Sequence, residues 1–126
     1  MIVRKLSAAA VAGMPRTDLA DTAEEPESPI EPFSFHGCHC AVASYVGEPP
    51  WEFHADDELL HVLGGTCRLI VREVGGERSA DLVAGDLVVV PRRRWHRTQA
   101  AEGVTMLFMT PAKGGRRSWE DPGEAA

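Results

Sequence analysis

Two carboxylates and two imidazoles are the side chains of this sequence best suited to chemistry. Glu52 and His54 stand in Trp51-Glu-Phe-His54, where a strand would put both on one face and turn Phe53 to the other. Glu58 follows His54 across Ala55, Asp56 and Asp57, so a hairpin or bend there would return its carboxylate to the same cavity. His96 closes the stretch that begins at Gly85 and runs through Pro91, placing an imidazole just after a turn. His54 and His96 with Glu58 and Glu52 would suit Fe²⁺, Mn²⁺, Ni²⁺ or Zn²⁺, with positions left open for water or substrate. Glu52 is then either a fourth ligand or a general base. The plainer alternative is a set of groups that hydrogen-bond one another, with Glu52 satisfied by an arginine or by His96.

Groups so far apart in sequence need a scaffold that gathers them. From residue 38 onward, short apolar runs alternate with turn residues at intervals of about ten, which predicts strands. The runs are Cys38–Val46, Trp51–His54, Leu59–Leu63, Cys67–Glu73, Ser79–Val83, Leu87–Val90, Trp95–Gln99 and Val104–Thr110. Gly64-Gly65 and Gly75-Gly76 read as hairpin turns. Strands this short must close or stack to bury themselves, so the expectation is an all-β barrel around a cavity. Ile2–Leu6 reads as a further short strand that could pair with a neighbour's sheet edge.

The two chemical windows resemble the motifs of the cupins. His54, Glu58 and Gly65 match the second histidine, the glutamate and the closing glycine of that family's first motif. Gly85, Pro91 and His96 match its second motif at the right spacing. The resemblance covers roughly residues 38–110 and implies a double-stranded β-helix, or jelly-roll, barrel with a metal held by His54, Glu58 and His96. The chain departs from the pattern where the first histidine falls on Glu52, a motif glycine on Arg93 and the final asparagine on Ala100.

Other polar clusters are weaker. His36, Cys38, His39 and Cys40 lack the second half of a thiolate site and read as part of a barrel wall. His61 reads as a strand or interface histidine. Arg92, Arg93, Arg94 and Arg97 form a solvated turn, unless one arginine reaches the barrel mouth to grip an anion. Trp51 and Trp95 either wall the pocket or seal the core. Met106, Phe108 and Thr110 share one face of the last strand, with Thr105, Leu107 and Met109 on the other. Both faces are largely apolar, which predicts burial by the barrel on one side and by a partner or the terminal arm on the other. No nucleophile elbow and no phosphate-binding glycine loop is present.

Composition bounds the remainder. The 126 residues suffice for one domain. The net charge of −6 resides in Thr17–Pro32, which holds six acids and no base, while the other 13 acids match the 13 bases. A neutral body gives no footprint for nucleic acid, and no apolar run reaches membrane-spanning length. Three cysteines fit a reducing cytoplasm, and the Ala-rich start reads against a cleaved leader. The expected division is a strand and acidic arm over 1–32, a barrel over 33–112 and a polar tail over 113–126 that Trp119 tacks down. A homodimer is expected. Three functions are compatible with this reading: a metal-dependent dioxygenase, isomerase or lyase on a small organic substrate; a non-catalytic small-molecule binding or sensing module; and a metal-free structural barrel.

Overall fold

The computed structural model describes residues 1–20 and 28–123. Nine strands follow a one-turn helix: α1 (Ala8–Ala12), β1 (Thr17–Asp18), β2 (Phe33–Phe35), β3 (Cys38–Gly47), β4 (Trp51–Phe53), β5 (Glu58–Glu73), β6 (Gly76–Val83), β7 (Leu87–Val90), β8 (His96–Pro111) and β9 (Arg116–Ser118). They join in one curled sheet in which β8 lies between β3 and β4, while β5 pairs with β6, β7 and β8. The fold class is the expected all-β barrel.

Two long strands carry the closure. The Leu59–Val62 half of β5 pairs with Met109–Met106 of β8, and its Arg68–Val71 half pairs with Gln99–His96. Between the halves the register shifts at Gly64 and Gly65, so this glycine pair is a bulge and not the expected hairpin turn. The bulge also exchanges the inward set. Glu58, Leu60 and Val62 are buried before it, and Cys67, Leu69 and Val71 after it. Gly65 has φ +73°, and a Cβ there would stand 2.2 Å from the Gly103 carbonyl oxygen, so only glycine fits. The runs expected at Trp95–Gln99 and Val104–Thr110 are likewise one strand. Gly75-Gly76 does turn the β5–β6 hairpin.

The main core gathers Tyr45, Leu60, Val62, Leu69, Val104 and Met106 among others. Trp51, Phe53 and Trp95 form a second cluster with Ile70. Arg72, Arg97 and Arg116 lie over these rings, with the Arg116 guanidinium 4.1 Å from the Phe53 centroid.

The ends depart from expectation. Residues 2–6 form no strand; Ser7 instead caps α1, whose Val11 packs over Gly64, where a side chain would leave no room. Four of the six arm acids fall within residues 21–27, outside the described residues. The described part of the arm adds β1 in parallel to β3. The tail contributes a strand of its own, β9, which pairs antiparallel with β4. No helix among the described residues is long and apolar enough to cross a membrane.

Candidate metal centre

Three of the four residues sit at or next to a strand end, and Glu52 is the middle residue of the short strand β4. β4 carries Glu52, and His54 follows its last residue. Glu58 is the first residue of β5 and His96 the first of β8. The β4–β8 register sets Glu52 directly opposite His96. Strand alternation then aims Glu52 and His54 inward while Phe53 joins the second core, as the sequence spacing implies.

The four side chains converge on one point. One potential ligand atom from each lies within 4.8 Å of all the others. His54 Nε2 is 3.2 Å from Glu52 Oε2 and 3.3 Å from Glu58 Oε2, and His96 Nε2 is 3.0 Å from Glu58 Oε1. Nδ1–H of His96 donates to the Arg94 carbonyl at 3.2 Å, which holds the ring with Nε2 toward the carboxylates. Thr110 Oγ1–H donates to Glu58 Oε2.

The electrostatics follow from burial and proximity. Burial alone would depress the His54 pKa, but hydrogen bonds to Glu52 and Glu58, with their charges, overturn this and hold it up to about 9. Burial would raise Glu58, yet hydrogen bonds from His54 and His96 and the attraction of both rings bring it down to about 2. Without a cation, the cluster therefore retains a proton on His54. A divalent ion in its place would meet two imidazoles and two carboxylates, whose charge it balances. The donor set fits a metal.

The cluster opens into a cavity of about 300 Å³. Ala41, Ala43, Leu60, Met106 and Phe108 supply apolar wall, while Tyr45, Thr98 and Thr110 supply hydroxyls. His39 borders the same space, with its ring tilted against Phe108 at 5.9 Å. Arg117, opposite Glu52 in the β4–β9 register, brings Nη2 to 3.7 Å from Glu52 Oε1. Trp119 also lines the cavity.

The other candidates are placed elsewhere. His36 turns the β2–β3 connection at φ +49°, and all three cysteines are free thiols. His61 lies on the outer face, between Leu87 and Leu107 in register. Arg97 borders the cavity, but its guanidinium donates to the Pro49 carbonyl and to Glu48. Trp51 and Trp95 seal the second core. Sequence reading missed Arg117, since three residues of β9 give no strand period. It also missed Tyr45 and Thr98, which look like ordinary strand residues until the barrel is closed.

The family model described as Cupin domain matches residues 44–110, just over half of the chain. No curated protein matches in sequence. Among solved structures, the chain is similar to hydroquinone 1,2-dioxygenase from Sphingomonas sp. TTNP3 with 4-hydroxybenzoate bound, with 16% identity and TM-score 0.55. That match covers 61% of this chain and 60% of that one. The match thus spans less than two thirds of that dioxygenase chain. A cupin-2 domain containing protein from Shewanella frigidimarina gives 24% identity and TM-score 0.55, covering 74% of this chain and 87% of that one. Hydroquinone 1,2-dioxygenase PnpCD, in complex with Cd²⁺ and 4-hydroxybenzonitrile, gives 17% identity and TM-score 0.58, covering 90% and 82%. At these identities the likeness establishes the shared fold.

Proposed function

The chain belongs to the cupin domain family, and on that premise we propose that it holds one divalent transition metal (Fe, Mn, Ni or Zn) and acts on a small organic substrate as a dioxygenase, isomerase or lyase. The observation that carries this reading is the convergence of His54, His96, Glu58 and Glu52 within 4.8 Å at the wall of a cavity of about 300 Å³. His54, His96 and Glu58 are the ligands. Glu52 is the fourth ligand or, when displaced, a general base.

A bound divalent ion would supply a Lewis-acid centre for a substrate oxygen. The chain's own residues do the rest. Glu58 is fixed by Thr110 and both imidazoles, and so stays ionised. Glu52 is the more exposed carboxylate, its side chain 24% exposed against 4% for Glu58. That difference suits it to take or return a proton at its Oε2 while Arg117 faces Oε1. The apolar wall excludes water from the substrate body.

One observation favours a second reading, a non-catalytic small-molecule binding barrel. Each carboxylate is already in contact with an imidazole, so the cluster holds together through His–Glu contacts without a cation. Calorimetric titration of chelator-treated protein with Mn²⁺, Ni²⁺ and Zn²⁺ separates the two. The metal reading requires one site per chain, lost in His54→Ala and His96→Ala. Absence of binding leaves the ligand-only barrel.

We also propose a homodimer. Leu59, His61, Leu107 and Met109 lie on the face of β5 and β8 away from the cavity, and Leu87 and Val89 extend that face on β7 at 63% and 54% exposure. This apolar row carries no formal charge and suits a second copy of the chain. Three free thiols support a reducing, cytoplasmic setting.

A further inference from the structure

We propose that the paired hydroxyls of Tyr45 and Thr98 form a second polar binding point in the cavity, for a substrate oxygen remote from the metal centre. The orientation of that substrate rests on the metal reading above.

Both residues line the cavity, and both are deeply buried, at 4% and 7% exposure. Tyr45 Oη and Thr98 Oγ1 are hydrogen-bonded to each other. Two hydroxyls bring two hydrogens, and their mutual bond uses one. Among the described residues no other partner takes the second, so one O–H of the pair remains for whatever occupies the cavity. Burial pushes the Tyr45 phenol well above its usual range, so the pair keeps both protons at any physiological pH.

The position of the pair gives it a role in selection. Thr98 follows His96 by two residues on β8, on the same face, which sets their side chains about 7 Å apart along the strand. Leu60, Met106 and Ala43 wall the cavity with carbon. A ligand spanning this space has an oxygen at the metal end, an apolar body and a second oxygen at the Tyr45–Thr98 end. That describes a small molecule with an apolar body and two opposed oxygen groups, of which a dihydroxybenzene is a simple probe. A monofunctional molecule would leave the buried pair unsatisfied, and that penalty supplies the discrimination.

The test uses hydroquinone and phenol as probes. Each is titrated anaerobically into the wild-type chain, Tyr45→Phe, Thr98→Val and the double variant, both metal-free and Mn²⁺-loaded. The loaded wild type should bind hydroquinone more tightly than phenol. Each single variant should lose roughly three- to tenfold in hydroquinone affinity. The double variant should bind both probes alike, with Mn²⁺ uptake unchanged. Thr98→Val conserves shape and carries the test if Tyr45→Phe does not fold. A hydroquinone preference that survives in the double variant overturns the proposal, as does failure of the wild type to bind hydroquinone. If the wild type takes up no Mn²⁺, the metal reading alone fails. The metal-free titration then decides: loss of phenol affinity in the double variant supports the hydroxyl pair, and unchanged affinity overturns it.

Discussion

The backbone N–H of Arg93 donates to the carbonyl oxygen of His54 at 2.8 Å. One residue earlier, the N–H of Arg92 donates to Asp57 Oδ1, also at 2.8 Å. The turn that delivers His96 is therefore hung on the segment that delivers His54 and Glu58. The two halves of the site are held together by one main-chain hydrogen bond and one main-chain to carboxylate hydrogen bond, independent of any ion.

Arg93 makes its contact from the left-handed region, at φ +60°. A side chain in that region costs about 1 kcal/mol relative to glycine. Arg93→Gly should therefore leave stability unchanged or raise it by up to about 1 kcal/mol, the greater freedom of glycine in the unfolded chain offsetting part of the gain. Gly65→Ala should do the reverse, costing roughly 2–4 kcal/mol, because its Cβ collides with the Gly103 carbonyl oxygen. Denaturant unfolding of both variants checks the pair of signs.

The proton on His54 makes metal binding depend on pH. Its pKa of about 9 in the metal-free cluster means that an incoming cation must displace a proton below that pH. Metal affinity should rise about tenfold per pH unit up to about 9 and then level off. Metal-free stability runs the other way on the alkaline side. The raised His54 pKa contributes fully below 6.5, and that contribution is lost as pH climbs through about 9. The lowered Glu58 pKa contributes fully above 4.5, and that contribution is lost as pH falls toward about 2. The cluster should thus favour the metal-free fold most between pH 4.5 and 6.5. Thermal unfolding with and without chelator should show the metal-induced gain growing from pH 6 to 9.

The outer face makes a prediction about assembly. Light scattering should give twice the mass of the chain. Leu107→Glu or Leu87→Glu should return it to a monomer by placing a charge in the apolar row. A wild-type monomer at micromolar concentration would remove the dimer and leave the site untouched.

β9 is held on β4 partly by Gly114, whose φ is +77° and whose added Cβ would stand 2.7 Å from Ala55 Cβ. Gly114→Ala should lift the strand, carry Arg117 and Trp119 from the cavity mouth, and expose the Arg116–Arg117 bonds. Faster tryptic cleavage there, with the barrel's melting temperature little changed, is the expected outcome. Unchanged cleavage would mean that β9 is held mainly by the Arg116 stack on Phe53 and Trp95.

Much of this was legible in the chain. Glu52 and His54 share a face as the spacing of a strand implies, although β4 ends at Phe53, and His96 follows a turn marked by Gly85 and Pro91. The barrel was legible for the same reason, since short apolar strands cannot stand alone. Three features were not. Gly64-Gly65 carries the composition of a hairpin turn, and only the close approach of Gly103 makes it a bulge. Ile2–Leu6 has strand-like residues, but Ser7 and the alanines after it favour a capped helical turn beside it. Arg117 reaches Glu52 through a pairing of three-residue strands, which no local pattern announces.

The central claim is tested most directly by an anomalous difference map of protein crystallised after purification without chelator, recorded at the absorption edges of Mn, Fe, Ni and Zn. One peak per chain is expected within bonding distance of His54 Nε2, His96 Nε2 and a Glu58 oxygen, absent in His96→Ala. A map with no peak there, or with its only peak at Cys38 and Cys40, would contradict it.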